Sequence, residues 1–85
     1  MEHPDSQIDA LMSEHHFRSL VSSLAGRQVS RSGLYNLRKE LALKNESFTP
    51  EYARVLAYYA QLRSSRRTKE SARQLTIHFA KENGL

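Results

Sequence analysis

Five polar side chains, Arg31, Ser32, Tyr35, Asn36 and Lys39, are interleaved with leucines at positions 34, 37 and 41. On an α-helix those leucines share one side, so Ser32, Asn36 and Lys39 point away from them, with Arg31 and Tyr35 on the flank. Side chains of these types bond phosphate oxygens and the edges of base pairs. Asn36 matches the paired donor and acceptor of adenine in the major groove, and Arg31 or Lys39 matches guanine or a phosphate. Just before them Arg27, Gln28 and Ser30, and on the same stretch Arg38, are candidates for holding a phosphate backbone. A second basic cluster, Arg63, Arg66, Arg67, Lys69 and Arg73, is dense enough for the same task, which would make binding weaken steeply with salt. The plainer reading of each residue is a solvated helix face, and of the cluster a helix junction whose Arg63 and Arg67 complement the carboxyl end of the preceding helix.

Other chemistry finds no support in the residue pattern. His15 and His16 are adjacent and diverge on a helix, and His3 and His78 stand at no ligand spacing to them, so no metal site is expected. Nothing local marks a nucleophile, base and acid set, and no glycine-rich loop is present to cradle a phosphate. The chain therefore reads as a non-enzyme, with no cofactor and no evident small-molecule substrate.

Four segments have helical spacing and none has the alternation of a half-buried strand. The first covers residues 5–24, where Ile8, Leu11 and Met12 form one apolar set and Phe17, Leu20, Val21 and Leu24 another. The step from Met12 to Phe17 breaks phase, so either a short arm precedes a helix capped by Ser13 or one helix bends there; residues 1–12 are the candidate arm. Gly26 suits a left-handed stop and Ser30 an N-cap, with Val29 and Leu34 placed to clamp the entry angle of the next helix. That helix is expected over 31–44, ending near Asn45. The third, over 50–63, has the clearest start, since Thr49 caps, Pro50 fits the first turn and Glu51 complements the dipole. Its stripe of Tyr52, Val55, Leu56, Tyr59 and Leu62 is the expected core, with Ala53, Ala57 and Ala60 allowing close approach, while Tyr58 lies off the stripe, at an interface or on the surface. A fourth helix is expected over 69–82 with Thr68 as cap, burying Ala72, Leu75 and Phe79. This later stripe falls nearly opposite the one before it, which argues against one helix running from 50 to 83 unless two subunits exchange it.

The segment at 24–41, which contains LAGRQVSRSGLYNL, resembles the helix-turn-helix superfamily of bacterial DNA-binding proteins. In that pattern a small residue and a glycine precede the turn, and three apolar residues follow at the spacing of Val29, Leu34 and Leu37. VSRSGLY looks like the start of a recognition helix. Arg27 and Gln28 intervene between Gly26 and Val29, where the superfamily usually places its apolar residue directly after the glycine. The resemblance implies that residues from Arg31 onward read the major groove of double-stranded DNA.

Length and charge agree with a small domain of this type. Eighty-five residues bury a small core, so a homodimer would add stability, and a subunit interface is the expected use of the diverging stripes. Residues 1–26 hold four acids against one arginine, net −3, whereas 27–85 hold twelve Lys or Arg against five acids, net +7. A field of that sign favours a polyanion. No apolar run approaches the roughly 20 residues that span a bilayer, the acidic start is unlike a signal peptide, and the absence of cysteine fits a reducing cytoplasm. The expectation is one all-α domain of four or five helices that binds double-stranded DNA as a repressor-like transcriptional regulator of bacterial, plasmid or phage type. The alternatives are a helical adaptor or inhibitor that docks a protein, and an RNA binder using the Arg63 to Arg73 cluster with Tyr58.

Overall fold

The computed structural model describes residues 11–44 and 46–85. Within them the chain forms four helices and no strand: α1 (Glu14–Ala25), α2 (Arg31–Leu41), α3 (Pro50–Ser64) and α4 (Lys69–Glu82). Every start is set by a hydroxyl that accepts from an otherwise orphaned amide. Ser13 accepts from His16, Ser30 from Gly33, Thr49 from Tyr52 and Thr68 from Ser71. Gly26, at φ 75°, closes α1 by bonding back to the carbonyls of Ser22 and Ser23.

The helix α3 is the axis of the bundle. It buries Tyr52, Ala53, Val55, Leu56, Ala57, Tyr59 and Ala60, a set that reaches far around its circumference. One side meets α1 and another meets α4, while α2 lies across both α3 and α4. The alanines let these neighbours come close, and the aromatics fill the ends. Phe17 of α1 stacks between Phe48, at 4.5 Å, and Tyr52, at 5.3 Å. Fully burying each large side chain contributes on the order of 1.5–3 kcal/mol, so a core of this size depends on nearly all of them. The helices α1 and α2 are not packed along their lengths; they are joined by the turn and by a common seat on the core.

One alternative is decided and two expectations need correction. Leu11 and Met12 are not helical, so Ser13 caps a fresh helix and the single bent helix is excluded over these residues: the Met12 amide donates to the Phe48 carbonyl at 2.9 Å and α1 starts after Ser13, while Ile8 lies outside the described residues. The second helix stops at Leu41 rather than at 44, because Ala42 adopts a left-handed conformation (φ 54°, ψ 49°) with its amide bonded to the Arg38 carbonyl. Leu43 then packs against the core; the expected stop at Asn45 falls outside the described residues. The buried face of α4 is Ala72, Thr76 and Ala80, rotated roughly 65° from the expected Ala72, Leu75 and Phe79 at 100° per residue. Small side chains let α4 approach α3, and Thr76 hides its hydroxyl by donating to the Ala72 carbonyl at 2.7 Å. Leu75 is left 39% exposed, and Phe79 sits at the edge, stacked on Tyr58 with 4.3 Å between ring centres. Tyr58 is thus paired within the chain. The break between α3 and α4 is real, since Ser65 is extended and caps α3 through its amide.

Ala42 holds a backbone conformation that glycine adopts freely, and its side chain is exposed. Ala42→Gly is expected to raise stability by about 1 kcal/mol, allowing for the extra freedom of glycine in the unfolded chain. Thermal and urea unfolding read this directly, and an unchanged or lowered midpoint would show that the C-cap is unstrained.

Candidate nucleic-acid interface

The two sides of α2 differ completely in their surroundings. Leu34, Leu37 and Leu41 are buried, and Val29, one residue before the cap, is buried with them. Arg31, Ser32, Tyr35, Asn36 and Lys39 are all exposed, Tyr35 at 60%. At 100° per residue these five occupy an arc of roughly 140° centred opposite the leucines. The same spacing that seats the helix therefore leaves this edge clear of the other described residues, apart from the approach of Arg31 to Glu14 at 3.9 Å.

Both ends of α2 are pinned. At the amino end the Val29 amide donates to Ser22 Oγ at 3.0 Å, tying the turn to α1. Ser30 Oγ accepts from the Gly33 amide at 3.0 Å and lies 3.3 Å from Ser32 Oγ. A Cβ on Gly33 would come within 3.1 Å of that capping hydroxyl, so the glycine leaves the cap its room. Arg27 and Gln28 are exposed in the turn, and Arg31 reaches Glu14 only at 3.9 Å across solvent, a contact of little energetic weight.

At the carboxyl end the organising group is Glu40. Its Oε1 accepts from the Tyr59 hydroxyl at 2.9 Å and from Arg63 Nε at 3.2 Å, and its carbonyl accepts from Arg73 Nε at 2.8 Å. Burial works against the Glu40 carboxylate, but the Tyr59 hydroxyl, the Arg63 guanidinium and the charge of Lys69 outweigh it and hold the group below the usual carboxylate range. The Tyr59 hydroxyl is pushed up to about 12, by burial first and then by its bond to Glu40. Arg38 is held by a parallel set of contacts: it bonds Glu46 Oε1 at 3.1 Å and lies over the Phe48 ring at 5.1 Å. Burial disfavours its charge, yet Tyr52 and Glu46 more than compensate and raise its pKa. Tyr52 is itself pushed up to about 12 by its burial.

These contacts divide the basic residues expected to touch phosphate. Arg38, Arg63 and Arg73 are half-buried and bound to acceptors of the chain's own, with Arg73 also 3.8 Å from Glu70. Their guanidiniums act as struts. Arg66, Arg67 and Lys69 are exposed and form no ion pair among the described residues, as do Arg27 and Lys39. Because Arg63 and Arg73 both meet Glu40, the α3–α4 junction lies beside the carboxyl end of α2, and the two basic groups adjoin. Sequence reasoning missed Glu40 and Glu46: an acid on a basic helix has no spacing that marks it as a hub for residues 23 and 33 positions away, and nothing local marks the loop residue Glu46 as the partner of Arg38.

The histidines are dispersed in role. His15 and His16 are exposed with their rings 5.8 Å apart, His78 meets Glu82 at 3.2 Å, and no metal-holding cluster occurs among the described residues. Among the described residues, no helix is long and apolar enough to cross a membrane. No family model matches the chain, and the searches of curated proteins and of solved structures return no match either.

The Glu40 contacts carry a pH dependence whose sign is fixed. A carboxylate held below its ordinary 4.5 stabilises the fold at higher pH, and that contribution disappears as pH falls through the lowered value. Glu40→Ala should destabilise by about 1–3 kcal/mol at neutral pH, by leaving the Tyr59 hydroxyl and Arg63 without their acceptor. Relative to Glu40→Gln, the parent chain should lose stability selectively below about pH 4.5. Parallel urea titrations of the two proteins across that range would contradict the assignment if their difference stayed constant.

Proposed function

We propose that this chain is a sequence-specific double-stranded DNA-binding protein, a small transcriptional regulator of repressor type, with α2 as the reading helix. The observation that carries the reading is the polarity of α2. Its leucine side is sealed into the core and both ends are pinned, while Arg31, Ser32, Tyr35, Asn36 and Lys39 stand free along one edge. A helix that enters a major groove must be held rigidly from behind and left bare in front. The resemblance of residues 24–41 to helix-turn-helix proteins supports the same reading.

In this mechanism Asn36 pairs with an adenine, Arg31 and Lys39 take guanine or phosphate, and Ser32 and Tyr35 add contacts on the flank. Arg27, Gln28 and the exposed cations Arg66, Arg67 and Lys69 hold the phosphate backbone. Ser30, Arg38, Arg63 and Arg73 contribute chiefly by fixing the surfaces on either side. Two copies would place two reading helices about 34–36 Å apart on a two-fold site, and occupancy of that site in the cytoplasm would block transcription.

Selection from a random duplex pool should enrich a motif with two-fold symmetry. On that duplex Asn36→Ala and Lys39→Ala should each weaken binding about tenfold or more with helicity unchanged. Arg66→Ala and Arg67→Ala should weaken binding to all sequences alike and lower the salt slope by about one each. Unaltered affinity in the α2 variants would remove this helix as the reader. Absence of salt-sensitive binding to any nucleic acid would favour a protein-docking module, with exposed Tyr35 as its anchor; preference for hairpin RNA over duplex would move the site to the α3–α4 junction.

A further inference from the structure

A notch of about 190 Å³ lies between α1 and the turn that leads into α2, lined by His15, Arg18, Ser19, Ser22, Gln28 and Val29. Its walls are mostly polar, and no acid contributes to them. In the sequence Arg18 belongs to the acidic first part of the chain; the fold sets it against the turn before α2. We infer that this notch holds one phosphate of duplex DNA, with the Arg18 guanidinium as its anchor and His15, Ser19 and Gln28 as further donors. The inference rests on the reading of α2 as the DNA-binding helix and adds to it a contact on α1, outside the helix that reads bases.

Helix geometry and one hydrogen bond bring these groups together. At 100° per residue His15, Arg18, Ser19 and Ser22 fall within an arc of roughly 100° on α1. The Val29 amide donates to Ser22 Oγ at 3.0 Å, which fastens the turn to that strip and sets Gln28 beside it. Arg18 is what distinguishes the notch from an ordinary polar surface. Four arginines among the described residues are half-buried, and three of them, Arg38, Arg63 and Arg73, end on acceptors supplied by the chain. Arg18 forms no hydrogen bond or ion pair through its side chain among the described residues. The acid one turn before it, Glu14, approaches Arg31 at 3.9 Å and stands outside the notch. A half-buried guanidinium without an acceptor keeps its fork of donors for an oxyanion from outside, and phosphate fits that fork in two-pronged fashion. Position selects which phosphate. The major groove is about 12 Å wide and a helix with its side chains about 10–12 Å across, so a strand of the duplex must run directly beside any helix lodged there. The notch adjoins the amino end of α2, where such a strand passes.

The test measures binding of the full chain to its selected duplex, prepared as a series in which one phosphate at a time is a neutral methylphosphonate. Neutralising one backbone position that flanks the bases read by α2 should weaken the parent about tenfold. Arg18→Met keeps an apolar stem and removes the charge, and far-ultraviolet circular dichroism verifies the fold. This variant should bind the unmodified duplex about tenfold more weakly and lower the salt slope by about one, with the order of preference among sequences unchanged. It should also lose its sensitivity at that one position alone. Arg18→Lys should restore the salt slope and part of the affinity, since it returns the charge without the fork. Should the methionine variant unfold, Gln28→Ala, in the exposed turn, carries the same test: it should blunt sensitivity at the same position. The proposal is overturned, with α2 still the reader, if Asn36→Ala weakens binding while Arg18→Met binds like the parent or stays sensitive at every phosphate. It is overturned equally if Arg18→Lys restores nothing, which would make Arg18 a support of the fold, or if the order of preference changes, which would assign Arg18 to a base. Binding to no duplex at all would remove the reading of α2, and the phosphate site with it.

Discussion

The burial of α3 on several sides at once is the constraint under which the rest of this chain folds. A core this small has no second layer to absorb a poorly seated helix. Its neighbours are thus positioned by the order of residues on one helix: Ala53, Ala57 and Ala60 determine how closely they approach, while Tyr52 and Tyr59 determine where they stop. Both tyrosines end in hydroxyls that need partners once buried, and α2 supplies the surroundings for each. Tyr59 donates to Glu40, and Tyr52 bonds Arg38. The polar tips of the core thereby clamp the helix that the leucines alone would only attract.

Local signals made much of this architecture legible. Hydroxyls before each helix, the glycine after α1 and the proline in α3 act within a few residues of themselves, so Ser13, Ser30, Thr49, Thr68 and Gly26 were readable in place. The leucine face of α2 was readable because large apolar residues alone mark it. Where small residues carried the contact, the same logic misled. On α4 the eye follows Leu75 and Phe79, yet the buried face belongs to Ala72, Thr76 and Ala80, and a threonine can be buried when its hydroxyl is returned to its own helix. The stop at Ala42 was hidden for a different reason: no residue preference points to alanine at a positive φ, so tertiary demands on Leu43 prevail over local propensity.

The candidate interface was legible in its front and illegible in its support. Arg31, Ser32, Tyr35, Asn36 and Lys39 share one exposed edge because they share a helical phase, which spacing reveals. Which cations are free does not follow from spacing, because it depends on acids distant in the chain. Arg63 and Arg73 sit in the same dense cluster as Arg66 and Arg67, and only the fold brings Glu40 to the first pair.

That division shapes the field of the molecule more than its net charge does. Of the five acids after residue 26, Glu40, Glu46 and Glu70 lie against Arg63, Arg38 and Arg73 respectively. Each such pair is a short dipole whose effect fades within a few ångströms in water. The charge that reaches outward belongs to Arg27, Arg31 and Lys39 on the α2 side, to Arg66, Arg67 and Lys69 at the adjoining junction, and to the exposed Lys44, Arg54 and Lys81 elsewhere. At physiological salt, fields are screened over about 8 Å, so cations act together on a polyanion only where they adjoin. The acids that brace α2 thus also sort the cations. Those near the core become neutral struts, and those on the outer edge of α2 and at the junction keep their charge, which is the arrangement the proposed reading requires: a braced back to α2 and a basic front.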